Sequence, residues 1–504
     1  MAKSIRTSSP FMKKSEVDRP TFNTLRFLTR IRPHPLQRDN FLVDPYVKES
    51  MNDLLGFDPE EVLGGYTRSF YTLEGHYFNL WNYDRVIVPR PRDEILDEAV
   101  RISSEIFQLE EPVYSISWDN LENVPFIKSS SAGWGYHGKK GDSNNHQTAI
   151  RRAVGSLHAW LTGYRSDGTA FRYAPDLAFT RTQLGSIYNP KVRHVWGAAF
   201  ENILLEGLTA SPLIRAYEKK GEPIPIGVHI YKRLPSIIHT TLYSNEEKRT
   251  GIGTDLKSFD SCAQPWIIDE AFNILRKNII FNHPLEEAAF NYSQYHFKTR
   301  PVVMPDGRMW LKFLGIPSGS YFTQLIGSII NHIITTYAQL RVYGKPFKTW
   351  CLGDDSIFGI PKDLDPDPDV TKFITPMSDL GFILHPDKTI KSEHPDELEY
   401  LGHTARGTKV SREMATTLRL ALYPEYPVDG PAISLSRVRG LVLDSGLNSW
   451  PIIELNDYMT AKYGQLPEFD ELEFAPEDKN WMHSVVGRSF RPSDIDLIKA
   501  WTFT

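Results

Sequence analysis

Gly353-Asp354-Asp355 sits between two short runs of strand character, Thr349-Trp350-Cys351-Leu352 and Ser356-Ile357-Phe358-Gly359-Ile360. The spacing predicts a hairpin with two carboxylates at its tip, Gly353 supplying the positive φ of a tight turn. Aspartate and glycine are common turn formers, and the triplet arises by chance in roughly one chain in ten of this length. A second pair, Asp255 and Asp260 in DLKSFD, lies about a hundred residues upstream, just before an amphipathic helical pattern. A strand beside the hairpin would present Asp255 next to Asp354. Converging carboxylates are hard oxygen ligands for Mg²⁺, which completes its coordination on substrate phosphates. Two such ions clamp the attacking and leaving oxygens of a phosphoryl transfer.

Between these elements lies Ser318-Gly319-Ser320-Tyr321-Phe322-Thr323, and Asn331 follows a little over two helical turns after Thr323. Small hydroxyls and an amide there could hydrogen-bond a ribose 2′-OH. Equally, Ser320 could cap the helix and Asn331 could be satisfied inside a core. Lys191 and Arg193 alternate in NPKVR, so an extended strand points both to one side. There they suit a triphosphate, or simply a solvated edge. From Lys128 to Arg193 the charge balance is +7. Trp134, Tyr136, Trp160, Tyr164, Phe171 and Tyr173 are interleaved with those cations, the mixture that single-strand binding uses.

The positioning elements are of α and β texture together. Pro265 reads as the first residue of one helix, and Leu325, Ile326, Ile329, Ile330, Ile333, Ile334 and Tyr337 recur at helical spacing in another. The GIPSGS loop feeds that second helix. Residues 1 to about 40 read as an extended arm, and Asp363–Pro368 as an acidic, proline-punctuated surface loop. With 504 residues, 41% hydrophobic and 24% charged, the chain is neither disordered nor fibrous. A formal charge of −5 excludes a wholly basic nucleic-acid coat, though not a local basic groove. From Pro451 onward the balance is −5. Cys262 and Cys351 cannot build a disulfide framework, and Cys351 reads as a packing residue. The basic N-terminus lacks the apolar core of a signal peptide, and no membrane span is expected.

Taken in order, seven segments resemble the motifs of viral RNA-directed RNA polymerases, most closely those of the double-stranded RNA partitiviruses, with picobirnaviruses next. They are SSSAGWGYHGKKGD from Ser129, RTQLGSIYNPKVRHVWG from Arg181, DLKSFD from Asp255 and GIPSGSYFTQLIGSIIN from Gly315. LGDDS from Leu352, GFILHPDKT from Gly381 and LEYLGH from Leu398 complete the set. The resemblance spans Ser129 to His403. It implies an α+β fold, a closed right hand of fingers, palm and thumb, the palm an antiparallel sheet backed by helices. By position, 1–40 would be the arm, 41–250 mainly fingers, 251–405 palm with a fingers insertion near 276–312, and 406–504 thumb and C-terminal region.

The resemblance also implies roles. Asp255, Asp354 and Asp355 would hold two Mg²⁺, with Mn²⁺ able to substitute. Asp260, Ser318, Gly319, Thr323 and Asn331 would meet the incoming nucleotide, and Lys191 and Arg193 its triphosphate. Lys388 would be the general acid for pyrophosphate. Ser129, Ser130, Ser131, Lys139 and Lys140 would lie along the template path, and Gly402 would fall in the segment supporting the end of the growing strand. Asn331 stands farther from Thr323 than in many positive-strand viral polymerases. Expected partners are RNA template and product, NTPs and a viral capsid protein, in the virion interior and host cytoplasm. The competing readings are a reverse transcriptase, which normally carries an aromatic residue before X-Asp-Asp, and a non-catalytic RNA-binding protein associated with the capsid.

Overall fold

A computed structural model describes residues 24–33, 40–166, 169–227, 230–244, 247–447 and 449–464. On the N-terminal side are strand β1 (Leu25–Arg30), helices α1 (Glu94–Ile106) and α2 (Asn145–Thr162), strands β2 (Asp176–Gln183) and β3 (Lys191–Gly197), and helix α3 (Phe200–Lys220). The middle holds β4 (Glu247–Thr254), α4 (Phe259–Cys262), α5 (Pro265–Arg276), α6 (Pro284–Lys298), β5 (Arg300–Val303), β6 (Arg308–Lys312) and α7 (Thr323–Tyr343). Then come β7 (Thr349–Leu352), β8 (Asp355–Pro361), β9 (Ile390–Ser392), α8 (Met414–Leu422), α9 (Pro431–Asp444) and α10 (Trp450–Tyr463). Shorter elements fill the intervals.

One sheet runs β1-β6-β5-β2-β3, antiparallel except where β5 meets β2. The expected arm therefore contains an edge strand: Leu25–Arg30 pairs with β6, Leu25 opposite Lys312. Residues 1–23 and 34–39 of that arm lie outside the described residues, as do 465–504 of the acidic C-terminus. The second sheet runs β7-β8-β4-β9, antiparallel throughout. Its β7–β8 hairpin is the one expected from the two strand-like runs flanking Gly353, and β4 is the expected neighbour.

Helix α7 sits behind this sheet. Its Leu325, Ile326, Ile329, Ile330, Ile333 and Ile334 are buried in one core with Phe358 and Ile360 of β8 and side chains of α1 and α5. Each such side chain stabilises the fold by about 1.5–3 kcal/mol on burial, enough to anchor the polar residues the same helix carries. Pro265 does open α5, Asp363–Pro368 forms the loop after β8, and Cys262 and Cys351 are both buried and free. Burial pushes the Cys351 thiol well above its usual range, as packing without redox chemistry requires. Among the described residues no helix is long and apolar enough to cross a membrane.

The aromatic residues of the basic stretch are mostly not a stacking surface. Trp160, Phe171 and Tyr173 gather around Tyr292 of α6, with ring centroids 6.0, 6.1 and 4.9 Å away. Tyr136 donates to Glu201 Oε2 at 2.7 Å and lies beneath Arg152. Tyr164 remains exposed. Rings of this size contribute most when buried against one another, and here they wedge α2, α3 and α6 together.

Candidate active site

The β7–β8 turn is held from below by its backbone. Gly353 adopts φ +64°. Its N–H donates to Ser328 Oγ at 2.9 Å, and its carbonyl accepts from Asn331 Nδ2 at 3.0 Å. Ser328 and Asn331 stand three apart on one face of α7, so both reach the same turn. A Cβ on Gly327 would lie 3.4 Å from Gly353 Cα, which shows how closely helix and turn approach. These bonds fix the turn without using the carboxylates of Asp354 and Asp355.

Asp255 continues directly from β4. Thr254 stands opposite Ser356, so the next residue comes level with the turn. The Asp255 carbonyl accepts from the His385 N–H at 2.9 Å, and Lys257 N–H donates to Ile383 at 2.8 Å. The Asp255 N–H reaches Thr389 Oγ1 at 3.4 Å. Asp355 is open to solvent on its outer side, yet the surrounding protein desolvates it. Desolvation first, then the Asp354 carboxylate, push its carboxyl up to about 7; Asp255 and Glu399 add to the effect and Arg193 opposes it. A bound cation would offset the desolvation first and the neighbouring negative charge second. Lys388 sits three residues beyond His385, exposed, with no side-chain partner among the described residues.

Two further groups face these carboxylates. Asp260, on α4, accepts from Ser318 Oγ at 2.5 Å. Burial raises its carboxyl, the Ser318 bond works against that, and the charges of Asp354 and Arg193 both reach it. Arg193 Nη2 lies 3.6 Å from Asp354 Oδ2. Strand β3 alternates as expected: Lys191 and Arg193 are exposed, whereas His194 and Trp196 are buried. The register adds a cation whose role the sequence does not suggest, because Arg181 of β2 stands directly opposite Arg193. Side chains directly opposite share a face about 5 Å apart, and like charges so placed repel. An anion between them would remove that cost.

Other expected residues are committed elsewhere. Thr323 Oγ1 donates to the Pro317 carbonyl at 2.7 Å. Asn331 is fully buried and also accepts from Thr335 Oγ1 at 3.1 Å. Ser320 does not cap α7, which starts after Phe322 with no side-chain cap; its hydroxyl donates to Glu206 instead. Asn331→Ala is expected to cost about 1–3 kcal/mol of stability, since Gly353 loses a buried donor. A wild-type denaturant midpoint in the variant would show that the amide does not hold the turn.

Of the template-path residues, Ser129, Ser131 and Lys139 are exposed, and Ser131 bridges to Lys139 across a small loop. Lys140 turns inward. It donates to Ser130 Oγ at 2.7 Å and lies over Phe200, and desolvation lowers its ammonium to about 8. The loop closes on itself through Lys140 N–H to Ser130 O, which draws that side chain under the turn.

The sequence profile for viral RNA-dependent RNA polymerase matches residues 51–456. The RNA-directed RNA polymerase of Cryptosporidium parvum virus 1 is 34% identical over 139 residues, 27% of this chain and 26% of that protein. The match thus spans about a quarter of that relative. Among solved structures, the RNA-dependent RNA polymerase of a human picobirnavirus superposes with a TM-score of 0.64 at 16% identity, covering 84% of each chain. The Sicinivirus RNA-dependent RNA polymerase gives 0.68 at 13% identity, covering 92% of this chain and 99% of that one. At these identities the likeness concerns the fold, which is a polymerase right hand. With the profile matched across most of its length, the chain belongs to the viral RNA-dependent RNA polymerase family.

Proposed function

We propose that the chain is an RNA-directed RNA polymerase that extends an RNA strand on an RNA template from NTPs. The observation that carries this reading is the sheet register that brings Asp255 level with the Asp354–Asp355 turn, beside Arg193 and the Asp260–Ser318 pair. Members of the family use divalent metal ions. The register that sets Asp255 beside the Asp354–Asp355 turn supplies hard oxygen donors of the type such ions take, although among the described residues the side chains do not close into a three-ligand cluster. With side-chain closure, Asp255, Asp354 and Asp355 would hold two Mg²⁺, or Mn²⁺ in their place. Such ions, if bound, would supply acidification of the attacking 3′-hydroxyl and neutralisation of the leaving pyrophosphate.

The chain's own groups position and neutralise. Arg193 meets Asp354 at a site where both side chains are about half exposed, an ion pair worth roughly 0–1 kcal/mol. A triphosphate offering charge-assisted bonds would draw Arg193 away from it, with Lys191 and Arg181 on the same face. Ser318 and Asp260 would meet the ribose, and Lys388 would protonate the departing pyrophosphate. We assign 251–405 to the palm, 41–250 mainly to the fingers, and the helices from α8 onward to the thumb. On the same reading the template is a viral double-stranded RNA genome, copied inside the particle or host cytoplasm beside capsid protein.

The test is incorporation of labelled NTP by purified protein on single-stranded RNA with Mg²⁺. Template-dependent product is expected. Arg193→Ala should raise the NTP KM about tenfold, with RNA affinity within about twofold of wild type. Equal use of dNTPs would turn the reading toward a reverse transcriptase, and RNA binding without product toward a binding protein.

A further inference from the structure

The loop between β6 and α7 carries Ser318, and its shape is imposed by charged groups buried far from one another in sequence. We propose that Glu206 is a positioning residue that holds this loop so that Ser318 faces Asp260, and thereby sets nucleotide selection. The inference rests on the polymerase reading above. Glu206 lies in the middle of α3, fully buried. Its Oε1 accepts from Arg300 Nη2 at 2.6 Å. Its Oε2 accepts from Ser320 Oγ and from the Tyr321 N–H, each at 2.8 Å. Arg300, also fully buried, donates through Nη1 to Asp176 Oδ2 at 2.9 Å.

Burying charges is costly, and apolar residues of the same volume often serve stability as well or better. What an apolar substitute cannot provide is a pair of directed acceptors for a hydroxyl and an amide of one loop. The remaining contacts show what that direction accomplishes. Lys312 Nζ donates to the Gly315 carbonyl at 2.7 Å, and the Ile316 N–H donates to the Asp260 carbonyl at 2.7 Å. The Trp196 N–H donates to the Ser318 carbonyl at 2.7 Å, which ties the loop to the strand carrying Arg193. Gly319, at φ +120°, lies so close to Trp196 that a Cβ there would come within 2.5 Å of its carbonyl oxygen. The two serines flanking Gly319 therefore point to opposite carboxylates, Ser318 to Asp260 and Ser320 to Glu206. Releasing Ser320 and the Tyr321 N–H would free the loop to rotate Ser318 off Asp260.

Glu206→Gln and Ser320→Ala test this. A glutamine must aim its NH₂ either at Arg300 or at the loop, so one set of donors loses its acceptor. Ser320→Ala removes a single bond and leaves the Arg300–Glu206 pair intact, so it keeps the test available should Glu206→Gln fold poorly. Single-nucleotide incorporation gives KM, kcat and the NTP/dNTP ratio, while amide hydrogen exchange reports on residues 316–321 in the same proteins. For Glu206→Gln the NTP KM should rise about tenfold and the NTP/dNTP preference fall at least about threefold, with RNA affinity unchanged. Ser320→Ala should move in the same direction by less, and loop exchange should quicken in both. Wild-type KM, selectivity and loop exchange in folded variants would overturn the proposal while the polymerase reading stands. A wild-type protein that incorporates nothing, with loop exchange still quickened by the variants, would instead remove the polymerase reading and with it the role in selection.

Discussion

Asp354→Asn is expected to lower templated nucleotide incorporation by about 10³-fold or more, a loss of the size seen when a preorganised charge at a reacting centre is removed. RNA affinity should stay within about twofold. The substitution keeps the side chain's shape and removes its charge. The turn itself should persist, because Gly353 is held through its backbone by Ser328 and Asn331 and not through the carboxylate. The lost partner of Arg193 is an exposed one, so stability should change by no more than about 1 kcal/mol. Primer extension and filter binding on the same preparations separate the two effects. Incorporation near the wild-type rate would remove Asp354 from the metal site.

The largest effect on stability is expected from Arg300→Met. It leaves Asp176 and Glu206 buried without their cation, and breaking a buried pair from one side costs about 3–5 kcal/mol. The loss should depend on pH. Even beside Arg300, desolvation pushes the Asp176 carboxyl up to about 6. A carboxyl whose folded value exceeds its unfolded one favours the folded state most fully below the unfolded value, and that margin is lost as pH rises through the folded value. Without Arg300 the folded value of Asp176 rises further, so the deficit of the variant should be smaller at pH 5 than at pH 8. Denaturant midpoints at the two pH values measure this, and a deficit independent of pH would contradict the assignment of buried, ionised carboxylates.

What could be seen in the sequence was whatever leaves a local pattern. The strand-like runs on either side of Gly353, the helical recurrence from Leu325 to Tyr337 and the alternation of Lys191 and Arg193 each lie within a short stretch of chain, and each element formed where its pattern lies. Asp255 was legible as the end of a run that could form a strand beside the hairpin, and β4 does pair with β8. The buried cluster that holds the Ser318 loop was not, because Asp176, Glu206, Arg300 and Ser320 lie on three separate elements and a loop with no shared period. Arg181 needed the strand register to bring it opposite Arg193. The aromatic residues after Trp134 were misleading for a physical reason. A ring beside cations suits both a stacking surface and a buried wedge, and only the position of Tyr292, more than a hundred residues away, separates the two.

Helix α7 begins where the Ser318 loop ends and passes its Gln324-to-Asn331 face beneath the Gly353 turn. It fixes the spacing between the Ser318 loop and the turn that carries Asp354 and Asp355. One residue inserted between Thr323 and Ser328 would turn the supporting face by about 100° and shift it about 1.5 Å along the axis. Both hydrogen bonds to Gly353 would be lost together. A change of length between Thr323 and Ser328 would therefore unseat the turn, whereas exchanging one side chain for another of similar size there keeps the register that seats it.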